Sequence, residues 1–157
     1  MVRMMQVEKC FCPESLEEAT ALLKETGEDT RICAGGTDLF VMMRKGKAQG
    51  KYIMDLSSLG LDYIREEPDG TLSIGAMATL TEIQNSPLLH REPYLFLQKA
   101  AGHVGSLQIR NMATLAGNIC TGIPSADVAV PLLALDASVR LCSAVGERLV
   151  PAAEFFK

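Results

Sequence analysis

The first third of this 157-residue chain alternates short apolar runs with one amphipathic helical pattern. Ser15 followed by Glu18 is a capping-box sequence that opens this helix, and Gly27 is a natural stop for it. Apolar strand patterns precede and follow the helix, and Gly35-Gly36 separates the second strand from a short helix that ends among cations. The pattern predicts a β-α-β-(α)-β unit with strands at 7–12, 31–34 and 52–56.

A different pattern follows the composition change near residues 56–60. Pro68-Asp69-Gly70 between two strand-like runs predicts a hairpin, and Thr79 followed by Glu82 is a second capping box. Residues 102–125 are rich in glycine and show little periodicity, which predicts a long irregular segment, and long segments of this kind are often functional. Further helices are predicted at 93–101 and 127–137, with Pro131 in the first turn of the latter, and a last hairpin at 139–150. The chain is expected to form two α+β lobes, about 1–56 and 57–157, with a cleft between them.

Two glycine-bearing segments carry the strongest chemical signal. Residues 34–38 (AGGTD) and 113–118 (ATLAGN) join apolar stretches to small residues whose backbone N–H groups a ligand can approach. A diphosphate needs such surfaces, so the pair predicts a dinucleotide held from two sides. Each segment also has a plainer interpretation as an ordinary turn. Asp127 has two interpretations, as a helix cap or as an acceptor for ribose hydroxyls.

Composition and charge narrow the class of protein. The chain is 48% hydrophobic and 22% charged with a formal net charge of −4, and no run of Lys or Arg exceeds two residues. Nucleic acid is therefore an unexpected partner. The longest apolar run, 128–135, contains Pro131 and is too short to span a membrane. Five irregularly spaced cysteines indicate a reducing compartment, and the expected location is the cytoplasm.

Side-chain catalysis finds little support in the sequence. His90 and His103, the two histidines, lie in different regions, and no paired carboxylates or G-x-S-x-G turn are present, so no catalytic or metal-binding residues are predicted. Cys10 and Cys12 would face the same side of a strand, but because there is no second cysteine pair they are expected to pack rather than to hold a cluster. If the chain takes part in a reaction, a cofactor carries the chemistry.

The two segments, their order and their spacing resemble the FAD-binding subunit of molybdenum hydroxylases, the family of xanthine, carbon monoxide and nicotinate dehydrogenases. The match runs from CAGGTDL at 33–39 through SIGA at 73–76 and IRNMATLAGNI at 109–119 to PSAD at 124–127. The resemblance covers essentially the whole chain. It implies an α+β, two-lobed FAD-binding fold of the vanillyl-alcohol-oxidase (PCMH) type over residues 1–157.

The resemblance also implies where FAD binds. The diphosphate would lie against the amides of the first segment, and the second segment would bind from the opposite lobe. The implied contacts are Ile32, Cys33, Ala34, Gly35, Gly36, Thr37, Asp38, Leu39, Ile109, Thr114, Leu115, Ala116, Gly117, Asn118, Thr121 and Asp127. Ala116 departs from the family's usual Gly-Gly pair by one methyl group. The family's subunits also continue into a C-terminal domain that this sequence does not include.

The role implied by the resemblance is electron transfer within an oxidoreductase. Electrons from a molybdopterin-binding large subunit would pass through the [2Fe-2S] clusters of a small subunit to FAD, and then to an acceptor such as NAD. Two other classes stay open: a non-catalytic flavin- or nucleotide-binding module, and a stand-alone flavin oxidase of the same fold.

Overall fold

The computed structural model describes residues 7–121 and 127–156. Residues 7–56, here called the N-terminal lobe, contain a three-stranded parallel sheet in the order β1-β3-β2. Ile53 and Met54 of the central strand are buried, whereas the two outer strands are shorter or more exposed. The β-α-β-(α)-β prediction is confirmed, with the elements β1 Lys9–Phe11, α1 Leu16–Thr26, β2 Thr30–Cys33, α2 Leu39–Arg44 and β3 Tyr52–Asp55.

Local sequence accounts for the ends of α1. Ser15 Oγ accepts a hydrogen bond from Glu18 N–H at 3.1 Å. The return bond of a capping box differs from the expectation, because Glu18 Oε2 accepts from Glu14 N–H at 2.9 Å rather than from Ser15. Gly27 ends the helix with φ +52°, a conformation that other residues adopt at a cost.

Residues 57–156, the C-terminal lobe, pack two hairpins around a helical core. Both hairpins are antiparallel, and β4 pairs with β5 on either side of the predicted turn at 68–70. The core is apolar and includes Leu80, Ile83, Leu97 and Val128. The elements are β4 Ile64–Glu66, β5 Leu72–Ile74, α3 Leu80–Asn85, α4 Leu95–His103, α5 Leu107–Arg110, α6 Leu115–Cys120, α7 Ala129–Ala134, β6 Ser138–Ser143, β7 Gly146–Pro151 and α8 Ala152–Phe155.

The prediction of an irregular segment at 102–125 is wrong in part. Two short helices lie there, and each begins at a hydroxyl N-cap: Ser106 accepts from Ile109 N–H at 3.3 Å, and Thr114 accepts from Gly117 N–H at 3.1 Å. Helices of four and six residues are too short to show a helical hydrophobic period. Their N-cap residues were the sequence signal that could have indicated them. Residues 122–126 lie outside the described residues.

The predicted helix at 127–137 is shorter than expected and buried on one face only. It spans Ala129–Ala134, with Pro131 and Leu132 buried and Val130 58% exposed. Pro131 lies in the first turn, as predicted, where the missing N–H costs little. No helix among the described residues is both long enough and apolar enough to cross a membrane.

The two lobes meet backbone to backbone at Gly35. A Cβ atom built on Gly35 would overlap the carbonyl oxygen of Met112 and lie 3.0 Å from Ala113 Cα. The loop containing Met112 is itself fixed, because Ala113 and Leu115 exchange backbone hydrogen bonds with Leu80 and Ala78 at 2.9 and 3.0 Å. The glycine at position 35 therefore allows the two glycine-bearing segments to come together.

Candidate functional site

A cleft of about 1030 Å³ runs between the two lobes. One wall is formed by the N-terminal sheet and α1, and the other by the two hairpins and α6. Both glycine-bearing segments line it, although they are about 80 residues apart in the chain. Aliphatic side chains form much of the remaining surface, including Leu23, Leu61 and Leu72.

The first segment presents unpaired backbone donors to the cleft. In the described part of the chain, none of the N–H groups from Gly35 to Leu39 donates a hydrogen bond to the protein. Gly36 has φ +70°, which turns the chain between β2 and α2. Consecutive free amides around a turn of this kind form a concave surface that suits an anion.

Asp38 does not compete for these amides. It occupies the N-cap position of α2, but its side chain makes no capping hydrogen bond and the residue is exposed. Free donors at a helix start normally find a side-chain, water or ligand partner. The first segment is therefore arranged as a donor surface that the protein itself does not satisfy.

The second segment differs because most of its amides are already used. Leu115 N–H donates to Ala78 O at 3.0 Å, and Gly117 N–H donates to Thr114 Oγ1 at 3.1 Å. Among the first three residues of α6, only Ala116 N–H has no protein acceptor in the described structure. Thr114 is 2% exposed, and its hydroxyl oxygen caps the helix.

Asn118 provides the second segment's clearest ligand group. Its Oδ1 atom is buried and has no hydrogen-bond partner among the described residues. Leaving such an acceptor unsatisfied costs about 1–3 kcal/mol, so an orphaned oxygen beside a cleft indicates an absent donor. A carbonyl oxygen suits a hydroxyl or N–H of a ligand rather than a phosphate oxygen.

With one exception, the candidate residues that lie outside the two glycine-bearing segments also line the cleft. Ile109 and Ile32 are both partly exposed there, and Thr121 lines it with its hydroxyl donating to Asn118 O at 2.7 Å. Asp127 lines the cleft and is exposed. It does not cap the following helix, whose N-cap is Val128 without a side-chain hydrogen bond, so the capping interpretation of Asp127 is wrong.

Cys33 is the exception among the sixteen candidate residues. Its side chain is 7% exposed, packs with Met43 and Ile53 in the N-terminal lobe, and does not line the cleft. Burial raises the pKa of its thiol, with a further contribution from the nearby Asp55 carboxylate. Its place in the motif reflects packing beneath the turn. By contrast, Cys10 and Cys12, expected to pack, are both exposed.

Sequence reasoning missed most of the apolar cleft wall. Leu16 and Leu23 of α1, and Tyr63 and Ile74 near the first hairpin, line the cleft but look like ordinary core positions in the sequence. Periodicity indicates which face of an element is apolar, but not whether that face meets another element or a ligand. The capped, apolar sequence of α1 was the one local signal available.

The residues present fit an FAD molecule. FAD carries a diphosphate that accepts hydrogen bonds, hydroxyls that donate them, and two planar ring systems. The free amides of residues 35–39 suit the diphosphate, and the orphaned Asn118 Oδ1 suits a donating hydroxyl. The aliphatic walls suit the planar ring systems. Gly35 and Gly36 carry no side chain that would stand between the ligand and these amides.

Comparison with known proteins gives the same cofactor. Residues 3–157 match the family described as the FAD binding domain in molybdopterin dehydrogenase. The chain is 39% identical over 148 residues to the nicotinate dehydrogenase FAD-subunit of Eubacterium barkeri, covering 93% of this chain and 49% of that protein. It is 36% identical over 138 residues to a putative xanthine dehydrogenase FAD-binding subunit of Escherichia coli, covering 87% and 47%.

Solved structures show that the fold is shared as well. A carbon monoxide dehydrogenase chain from Hydrogenophaga pseudoflava superposes with a TM-score of 0.92 at 34% identity, covering 99% of this chain and 54% of that one. The predicted α+β fold is confirmed. The chain belongs to the family of FAD-binding domains of molybdopterin dehydrogenases, and its cofactor is FAD. It spans about half the length of the curated relatives it matches.

Proposed function

We propose that this chain is the FAD-binding part of an electron-transfer subunit in a multi-subunit molybdenum hydroxylase. Its partners would be a molybdopterin-binding large subunit and a small subunit carrying [2Fe-2S] clusters. The observation that carries the proposal is that one cleft is lined both by the residues with free amides in one lobe and by Asn118 of the other, whose buried Oδ1 has no partner among the described residues. The relatives' descriptions as FAD-subunits of dehydrogenases support it.

In this proposal residues 1–157 act as one FAD-binding domain whose lobes meet near residue 56. The amides of Gly35 to Leu39 hold the diphosphate, and Asn118 accepts from a hydroxyl or N–H of the cofactor. Ala116 N–H adds one donor from the opposite side, and the exposed Asp127 carboxylate accepts from ribose hydroxyls. Apolar walls from both lobes exclude water around the rings.

The bound FAD supplies the ability to exchange electrons one or two at a time, between one-electron [2Fe-2S] clusters and an acceptor such as NAD. The protein's contribution is to bind and orient the cofactor. The substrate oxidised by the complex would be bound by the large subunit. Its identity is therefore a property of that partner's pocket.

The binding site is tested by Asn118→Ala, measured by equilibrium dialysis with FAD. We expect about tenfold weaker binding, because one ligand hydrogen bond is lost. The free energy of unfolding without FAD should stay the same or rise, because the variant removes an unsatisfied buried oxygen. Equal losses in stability and binding would contradict a ligand-directed role.

Asn111→Ala is the matched control for this test. Asn111 is exposed and lies outside the cleft, and its Oδ1 accepts from Thr81 Oγ1 at 2.7 Å. Its removal should cost about 0.5–1 kcal/mol of stability at most and leave FAD binding unchanged. The two asparagine variants therefore have opposite expected effects.

The electron-transfer role needs a separate experiment. The tagged full-length protein is purified from its native host, and its copurifying subunits are identified by mass spectrometry. We expect a molybdopterin-type large subunit and a small protein with two cysteine clusters, and reduction of that small protein should bleach the flavin absorbance. Flavin that stays oxidised, or that a substrate bleaches without any partner, would contradict the proposal in favour of a binding module or a stand-alone oxidase respectively.

A further inference from the structure

The cleft contains one aromatic ring among the described residues that line it. That ring belongs to Tyr63, which is half-buried and directly precedes β4. Its neighbours on the same wall are aliphatic and include Leu61, Leu72 and Ile74. An aromatic ring in an otherwise aliphatic wall offers a flat surface that suits a planar ligand.

The ring is held in place from two directions. The Arg65 guanidinium carbon lies 4.4 Å from the Tyr63 ring centroid, and Arg65 Nε donates to Glu67 Oε1 at 2.8 Å. On another side, a Cβ atom on Gly75 would lie 3.1 Å from Tyr63 Cδ1 and overlap the Leu61 carbonyl oxygen. The backbone is fixed as well, because Gly75 N–H donates to Tyr63 O at 2.8 Å.

These contacts give the ring two different environments. Arg65 covers one side of it as a cation over an aromatic face. Tyr63 is also one of the residues that line the cleft, and it is half-buried. A fixed ring needs little further ordering when a planar ligand stacks on it, so stacking there is favoured.

We infer that Tyr63 is a stacking platform for one of the two planar ring systems of FAD, the isoalloxazine or the adenine. The inference rests on FAD occupying the cleft. Both ring systems share the chemistry that the site recognises, a flat heteroaromatic face. Arg65 and Gly75 act as positioning residues that set the angle and depth of the ring.

Tyr94 provides a matched control from the same chain. Arg91 lies over its ring with the guanidinium carbon 5.9 Å from the centroid, so the pair has the same composition. Tyr94 packs against the hydrophobic core of the C-terminal lobe and does not line the cleft. Replacing it tests the loss of a packed tyrosine without the loss of a ligand contact.

The experiment measures binding of FAD, FMN and ADP to the wild type, Tyr63→Leu, Tyr63→Phe and Tyr94→Leu. Tyr63→Leu should bind FAD about tenfold more weakly, while Tyr63→Phe keeps most of the affinity because it keeps the ring. Tyr94→Leu should bind FAD as the wild type does.

The two ring systems are distinguished by the smaller ligands and by fluorescence. If Tyr63 stacks on the isoalloxazine, Tyr63→Leu weakens FMN binding and Tyr63→Phe brightens the bound flavin, because a phenol quenches excited flavin by electron donation and a phenyl ring does not. If it stacks on adenine, Tyr63→Leu weakens ADP binding and the flavin emission is unchanged. Either result supports a stacking platform.

A measurement on the wild-type protein covers the case in which Tyr63→Leu does not fold. Nitration of the tyrosines, followed by mass spectrometry, should be slowed by FAD at Tyr63 and not at Tyr94. Equal nitration of Tyr63 with and without FAD would overturn the inference, as would unchanged binding of all three ligands to Tyr63→Leu. A wild type that does not bind FAD would instead count against the cofactor site itself.

Discussion

The two glycine-bearing segments look alike in sequence but present opposite chemistry to the cleft. The first leaves five consecutive N–H groups, Gly35 to Leu39, without a protein acceptor in the described structure. The second uses its amides internally, through the Thr114 cap and the bond from Leu115 to Ala78, and leaves an acceptor, Asn118 Oδ1, unsatisfied. One segment therefore offers donors, which the proposed site uses for the diphosphate, and the other supplies mainly an acceptor.

The two glycines of the first segment are required for different structural reasons. Gly35 is required by the close approach of the other lobe, whereas Gly36 has a positive φ and a Cβ there would lie 2.6 Å from the Phe40 ring. A substitution at either glycine therefore disturbs the fold as well as the ligand surface. Side-chain variants such as Asn118→Ala test cofactor binding more cleanly.

The largest effect is expected for Gly35→Ala. The added methyl group would overlap the Met112 carbonyl oxygen, a backbone atom that cannot move without separating the segments. We expect a loss of about 3 kcal/mol in the free energy of unfolding, measured by urea denaturation, together with loss of FAD binding. Gly102→Ala is the control, because the atoms nearest to its Cβ would belong to the flexible Gln84 side chain, at 3.1 Å, and its change should stay within about 1 kcal/mol. Similar stabilities for the two variants would contradict a backbone contact between the lobes.

A smaller effect distinguishes the threonines of the two segments. Thr114→Val removes the cap of α6 and leaves the Gly117 N–H without its acceptor, so stability should fall by about 1–2 kcal/mol in thermal unfolding. Thr114→Ser should restore most of this loss. Thr37→Val, in the first segment, removes a hydroxyl that lines the cleft and caps no helix, so its stability should change by about 0.5 kcal/mol or less. If Thr114→Val and Thr37→Val lowered stability equally, the claim that only Thr114 caps a helix would be contradicted.

The smallest expected effect is at Ala116, whose N–H is the unpaired donor at the start of α6. Ala116→Gly restores the glycine pair usual in the family and lets a ligand approach that amide more closely. FAD affinity should rise slightly, while stability falls by about 0.5–1 kcal/mol because glycine weakens a helix. Calorimetric titration and urea denaturation measure the two changes. A fall in FAD affinity would show that the methyl group contacts the cofactor favourably.

Strong local signals predicted most of the secondary structure. Capping residues at Ser15 and Thr79, the turn at 68–70 and the Gly27 stop each act within a few residues, so a single sequence shows them. The short helices α5 and α6 were not predicted, because four and six residues are too few to show a helical period. Tertiary contacts stabilise them instead. The burial of Cys33 was not predicted, because a motif does not show which of its side chains turns inward.

The sequence by itself determined the two glycine-bearing segments, the element types around them and, through the resemblance, the cofactor. Only the tertiary structure decided which groups remain free to bind it. A backbone N–H is unpaired only in relation to every acceptor that the fold brings near, and those acceptors, such as Ala78 O for Leu115, come from distant parts of the chain. For the same reason, the contact between Gly35 and Met112 and the placement of Tyr63 in the cleft wall depend on how the lobes pack.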